Sequence, residues 1–220
     1  MNLLNIKNLV VGYHSEPLNY PVSFNVTKNG LYAIRGQNGC GKSTFLKTII
    51  GLNKPLKGQI IFKKEKTNLE IPKFSYVPQF HSVNKFFHLP VLEFVKQGFG
   101  PNFKIEQKHH DLIKSLLHEW ELNLYSNKSF HELSGGQKTR ALLVRAFATQ
   151  AKILFLDEPL SSLDVCCQAH LMQTLSTYVK KHNYCVFIID HHIDKFKHMI
   201  THYLDFDKAH DDPKSHIILR

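Results

Sequence analysis

Nine residues, GQNGCGKST at 36–44, place three glycines, a lysine and two hydroxyls behind the apolar run LYAI at 31–34. Gly36, Gly41, Lys42 and Ser43 satisfy the spacing GxxxxGK[ST], with a strand-like run before them and the helix-like STFLKTIIGL after. Glycines let the backbone curl until successive N–H groups point at one anion, and the following helix turns its positive end to the same place. Gln37, Asn38, Gly39, Cys40 and Thr44 complete this candidate phosphate cradle. Lys42 reaches the outer phosphates, and the Ser43 hydroxyl is placed to ligate Mg²⁺.

A cradle holds phosphate without breaking it. Hydrolysis also needs a metal carboxylate and a group that activates water, and ILFLDEP at 153–159 offers both. Four apolar residues form a buried strand, and Asp157 emerges at its carboxyl end, where open α/β sheets place their ligands. Asp157 would hold Mg²⁺, and the adjacent Glu158 would orient or deprotonate the attacking water. Alone, such an acidic pair reads as a helix cap or a turn. The lysine loop upstream reverses that reading.

These residues need a rigid sheet behind them. Apolar runs recur as LYAI (31–34), QIIF (59–62), FSYV (74–77), ILFL (153–156) and CVFII (185–189). Several are apolar at every position, the pattern of strands buried on both faces of a parallel sheet. Between the last two lies the helix-length stretch CQAHLMQTLSTYVKKH (167–182), which makes a βαβ unit. In 106–121, Ile113, Leu116, Leu117 and Trp120 recur at i, i+3, i+4 and i+7, the stripe of an amphipathic helix. The zone from about 80 to 140 therefore reads as a helical subdomain inserted between strands.

With 220 residues, the chain suits one α/β domain. No run approaches the roughly 20 apolar residues that cross a bilayer. The opening MNLLNIKNLVVGY alternates like a strand and lacks the pattern of a signal peptide. Cys40, Cys166, Cys167 and Cys185 have neither CxxC pairing nor the density of a disulfide scaffold. A net charge of +10 favours a negative partner without choosing among nucleotide phosphate, nucleic acid and anionic lipid. The basic knot KKEK (63–66) reads as a solvated hairpin loop, and the 15 histidines, including the pairs 109/110 and 191/192, read as solvated side chains.

LSGGQ at 133–137, between the lysine loop and the carboxylates, resembles the signature of the ATP-binding cassette (ABC) family. The resemblance runs along essentially the whole chain. It implies an α/β P-loop NTPase: a RecA-like core with a mostly parallel sheet, N-terminal antiparallel β strands and the inserted helical subdomain, forming a single nucleotide-binding domain over 1–220. It further implies that Tyr13 stacks on adenine, that Gln79 senses Mg²⁺ alongside Ser43 and Asp157, and that Lys42, Glu158 and His191 are the catalytic set. Asp164, the acid of SSLD (161–164), would link the two nucleotide sites of a dimer. Ser134, Gly135, Gly136 and Gln137 open a helix and, as in the family, would grip ATP held by the other subunit. One copy of each motif then requires two chains.

The chain departs from the family pattern in places. Asp190 stands before His191 where a small hydroxyl residue is common, and His192 follows where an acid is common. Either histidine could contact the γ-phosphate; distance from the strand favours His191. Thr139 replaces a second glutamine after the signature. Cys40, inside the cradle, is expected to block ATPase activity when alkylated, with bound ATP protecting it.

FHLPVLEFVKQG (87–98) resembles the cassettes of the zinc/manganese uptake branch. The function this implies is ATP hydrolysis, with ATP and Mg²⁺ as ligands, coupled to import through a separate membrane permease fed by an extracytoplasmic substrate-binding protein. Zinc is the favoured cargo, with manganese, iron or ferric chelates, or other cargo, as alternatives. The subunit would sit peripherally at the cytoplasmic face of the inner membrane, with no nucleic acid as partner. Two rival readings are a soluble cassette protein acting on nucleic acid or ribosomes, and an ATP-gated binding module, against which Glu158 argues.

Overall fold

The computed structural model describes residues 3–27, 29–62, 74–79, 88–100, 103–207 and 216–220. In chain order the elements are β1 (Leu4–Val10), β2 (Gly12–Tyr13), β3 (Glu16–Pro17), β4 (Val22–Val26), β5 (Gly30–Gly36), α1 (Lys42–Ile49), β6 (Lys57–Phe62) and β7 (Ser75–Val77). They continue as α2 (Val91–Lys96), α3 (Gln107–Glu119), α4 (Gly135–Ala148), β8 (Ile153–Asp157), α5 (Val165–His182), β9 (Cys185–Ile189), β10 (His202–Asp207) and β11 (His216–Leu219).

The central sheet has the order β11-β10-β5-β9-β8-β7, parallel from β10 to β7, with β11 antiparallel at the edge. Its core strands are apolar throughout because successive side chains feed two different cores. In β5, Leu31 and Ala33 face a cluster with α2 to α5, whereas Tyr32 and Ile34 face a cluster with α1 and the antiparallel sheet. β8 and β9 repeat the split: Leu154, Leu156, Val186 and Ile188 go one way, and Ile153, Phe155, Phe187 and Ile189 the other. Each fully buried Val, Leu, Ile or Phe among them contributes about 1.5–3 kcal/mol.

The second sheet, β4-β1-β6, is antiparallel and lies on the α1 side. QIIF therefore departs from the pattern of a doubly buried parallel strand: it pairs with β1 (Ile6↔Ile60), and Ile61 on its outer face is 45% exposed. A half-solvated antiparallel strand tolerates Gln59, which a strand covered on both faces would not. Between β7 and β8 the described residues are mainly helical, with Ile113, Leu116, Leu117 and Trp120 all buried against α4 and its neighbours. The knot 63–66 lies outside the described residues.

His109 departs from the solvated reading of the histidines. It is 7% exposed, its Nδ1 accepts the Glu106 N–H at 2.9 Å, and its ring packs edge-on against Phe99 and Phe103. Its place three residues after the N-cap Glu106 makes it half of a capping box.

Candidate active site

The strand β5 ends at Gly36 and α1 starts at Lys42, so the cradle is the five-residue turn between them. Gly41, the N-cap of α1, has φ of 97°, a left-handed conformation that a side chain would strain. Gly36 is constrained by proximity as well. A Cβ there would lie 2.7 Å from the Phe206 backbone oxygen and 2.9 Å from the Cys40 sulfur. Lys42 Nζ donates to the carbonyls of Gly36 and Gln37, each at 2.8 Å. The loop's own backbone thus fixes where the ammonium sits.

Across from the loop, β8 delivers Asp157, which is 1% exposed. The Ser43 hydroxyl donates to its Oδ1 at 3.2 Å and the Tyr76 hydroxyl to its Oδ2 at 3.5 Å. Burial pushes the Asp157 carboxyl above its usual range, with the Ser43 bond pulling it partly back. A divalent cation would reverse that balance, and a carboxylate beside a hydroxyl is the hard-oxygen set that Mg²⁺ prefers. The residues present therefore fit the metal.

Glu158 follows with φ of 52°, a left-handed backbone that costs a non-glycine residue about 1–3 kcal/mol. Its N–H is anchored on the Ile189 carbonyl at 2.7 Å. The turn brings the carboxylate out of the strand line. There Gln79 Nε2 donates to Oε2, and His191 Nε2 lies 3.4 Å from Oε1. Three sequence-predicted residues from three separate segments thus meet at one carboxylate.

The loop and this carboxylate share a cleft of about 490 Å³, whose walls include Asn38, Gly39, Gly41, Lys42, Ser43, Thr44, Glu158 and His191. Tyr13 stands at its edge, 52% exposed, with its hydroxyl 2.9 Å from Thr44 Oγ1. Ile189 and Leu18 add apolar wall. His191 lines the cleft and His192 does not.

Cys40 is not part of the cleft wall, although its sulfur lies 3.9 Å from Lys42 Nζ. It is 2% exposed, beneath the loop beside Gly36, so its thiol is closed to reagents in this conformation. The alkylation expectation is corrected accordingly. Cys166, exposed on α5, is expected to label first under limiting iodoacetamide, with ATPase activity retained, while Cys40 labels slowly or not at all. Peptide mass spectrometry against time checks this; early modification of Cys40 would contradict the packing.

The signature residues and Asp164 lie outside the cleft. Ser134 Oγ accepts the Gln137 N–H at 3.3 Å, and Gln137 Oε1 accepts the Ser134 N–H at 3.0 Å, a capping box that opens α4. Ser134 and Gly135 are exposed. Asp164 caps α5 by accepting the Cys167 N–H at 2.9 Å, a bond that holds its carboxyl below the usual range.

Several supporting residues were not singled out from the sequence in these roles. Tyr76 holds Asp157. Gln168, 7% exposed, donates to the Leu160 and Leu163 carbonyls at 2.9 and 3.1 Å. The Thr139 and Ser162 hydroxyls lie 2.5 Å apart, tying α4 to the loop at 160–164. Asp190, 6% exposed, accepts two backbone N–H groups.

Comparison with known proteins agrees with this geometry. A family model described as ABC transporter matches residues 20–161. An uncharacterised ABC transporter ATP-binding protein of Haemophilus influenzae is 36% identical over 86% of this chain and 74% of its own length. The high-affinity zinc uptake system ATP-binding protein ZnuC of Bacillus subtilis is 33% identical over 87% of this chain and 85% of its own. Among solved structures, one described as a metal-chelate type ABC transporter in an inward-facing conformation superposes with a TM-score of 0.75. It is 28% identical and covers 93% of this chain and 79% of its own.

Proposed function

Since the chain belongs to the ABC transporter family of ATP-binding proteins, which hydrolyse ATP, we propose that it energises a metal-ion importer, with zinc as the cargo. The observation that carries the ATPase part is the meeting of Gln79, Glu158 and His191 opposite a lysine-bearing phosphate loop. The cargo rests on likeness to the zinc uptake protein and on the segment 87–98.

Adenine stacks on Tyr13, whose ring the Thr44 contact orients. The triphosphate lies along residues 36–44, with Lys42 against the outer phosphates in place of its backbone carbonyls. Ser43, Asp157 and Gln79 would hold Mg²⁺, which would supply neutralisation of the charge developing on the phosphoryl oxygens. Glu158 positions the attacking water and accepts its proton at one carboxylate oxygen. His191, 3.4 Å from the other oxygen, orients that carboxylate and reaches the γ-phosphate.

We further propose that two identical chains complete each site. Ser134 and Gly135 at the start of α4 are exposed and lie outside their own cleft, which suits an anion held by a second subunit. Ser134, Gly135, Gly136 and Gln137 then close on the mate's ATP, and Asp164 carries the connection between sites. Closure excludes water and hydrolysis releases it, the stroke passed to a permease. Among the described residues no helix is long and apolar enough to cross a membrane; in this proposal a separate permease supplies the transmembrane path. The peripheral position at the cytoplasmic face, the substrate-binding protein outside and the single-domain organisation over 1–220 are parts of the same proposal.

The test is isolation of the chain from detergent-solubilised membranes, followed by uptake assays in a strain deleted for it. Co-isolation of a permease and selective loss of zinc uptake are expected. Loss of manganese or ferric-chelate uptake instead would move the cargo and keep the ATPase reading. Salt-sensitive retention on RNA with no permease would favour a nucleic-acid function.

A further inference from the structure

We propose that Asp190 is a positioning residue for ATP hydrolysis: its carboxylate fastens the loop at 160–164 to the segment bearing His191, and so sets Glu158 and His191 in register. The inference rests on the roles assigned above to those two residues.

Asp190 follows β9 directly and is almost fully buried. Oδ2 accepts the Leu160 N–H at 2.8 Å, and Oδ1 accepts the His192 N–H, also at 2.8 Å. Two residues before Leu160, the Glu158 N–H is bonded to the Ile189 carbonyl at 2.7 Å. The backbone on each side of Pro159 is therefore stitched to the backbone on each side of His191. On the far side, Gln168 holds the Leu160 and Leu163 carbonyls. Leu160 thus has its N–H and its C=O gripped by two buried side chains from different elements.

A buried carboxylate is costly unless its oxygens find donors. Burial pushes the Asp190 carboxyl up, and the two N–H bonds pull it back. A hydroxyl residue would offer one oxygen at one place. The carboxylate offers two, and they span the gap between Leu160 and His192. Its geometry matches a need to hold two backbones at once, and the two held backbones carry the residues that flank the attacking water.

Turnover and nucleotide affinity of the full chain separate this role from mere structural support. Asp190→Ala is expected to lower kcat by roughly tenfold to a hundredfold, the effect of a small displacement of a reacting group, with the ATP dissociation constant unchanged within about twofold. Asp190→Asn keeps the volume but turns an amide NH₂ towards an N–H, so the same loss is expected; it carries the test if the alanine variant does not fold. Asp190→Ser, which restores one acceptor, should recover part of the loss. Wild-type kcat in both Asp190→Ala and Asp190→Asn overturns the inference. So does a parallel fall of kcat and affinity that serine leaves unrelieved. Full turnover in Glu158→Gln would instead defeat the assignment beneath it, which makes the two failures distinguishable.

Discussion

Glu158→Gln lowers ATP turnover by about 10²–10⁴-fold, the contribution of a positioned general base, while ATP affinity stays near that of the unmodified chain. Glutamine keeps the shape and can still bond the side chain of Gln79, so the cleft retains its walls. What disappears is the carboxylate's charge, and with it the basicity that the proposed role in taking a proton from water needs and the negative partner of His191. The left-handed backbone at Glu158 is set by the Ile189 carbonyl and is untouched by the substitution. Phosphate release measured beside fluorescent-nucleotide binding separates the two effects. Turnover within a few-fold of the unmodified chain would assign the base elsewhere; a parallel loss of binding would make Glu158 a binding residue.

Lys42→Ala acts at the other end of the reaction. The ammonium sits 2.8 Å from two loop carbonyls, so its removal strips the loop of its internal brace and the triphosphate of its nearest cation. A charge-assisted hydrogen bond contributes about 1.5–3 kcal/mol, which converts to roughly a ten- to hundredfold loss in ATP affinity per bond lost. Lys42→Arg is not expected to rescue, because a planar fork cannot replace a compact ammonium in a 9% exposed position. Titration calorimetry with ATP reads the change directly. An unchanged dissociation constant would sink the phosphate-cradle assignment.

The parts of the site that were legible in the sequence are those whose chemistry is local. A glycine-lysine turn between strand and helix, and two acids at the end of an apolar run, carry their meaning in a few adjacent residues. Doubly buried strands were legible for a related reason, since a strand with two cores has no polar position. QIIF resisted because four residues do not say which sheet they join, and one polar position in four is compatible with either. His109 and Cys40 resisted because burial of a side chain is decided by what packs around it: Phe99 and Phe103 in one case, Gly36 and the core on the α1 side in the other. Asp190 was noticed only as a departure from a pattern. Its partners Leu160 and His192 come from two loops, and nothing in linear order announces that they converge.

β5, the strand that launches the phosphate cradle, pairs on one side with β9 and on the other with β10. Both neighbours come from the last fifth of the chain, Cys185–Ile189 and His202–Asp207. During translation, residues 30–36 leave the exit tunnel long before anything exists for them to pair with, and such distant contacts form slowly. A growing polypeptide therefore carries an apolar, unpaired strand until residues 185–207 have been made, the condition in which chaperones are recruited and aggregation begins. A strand-backed cradle can therefore form only after residues 185–207 have been made.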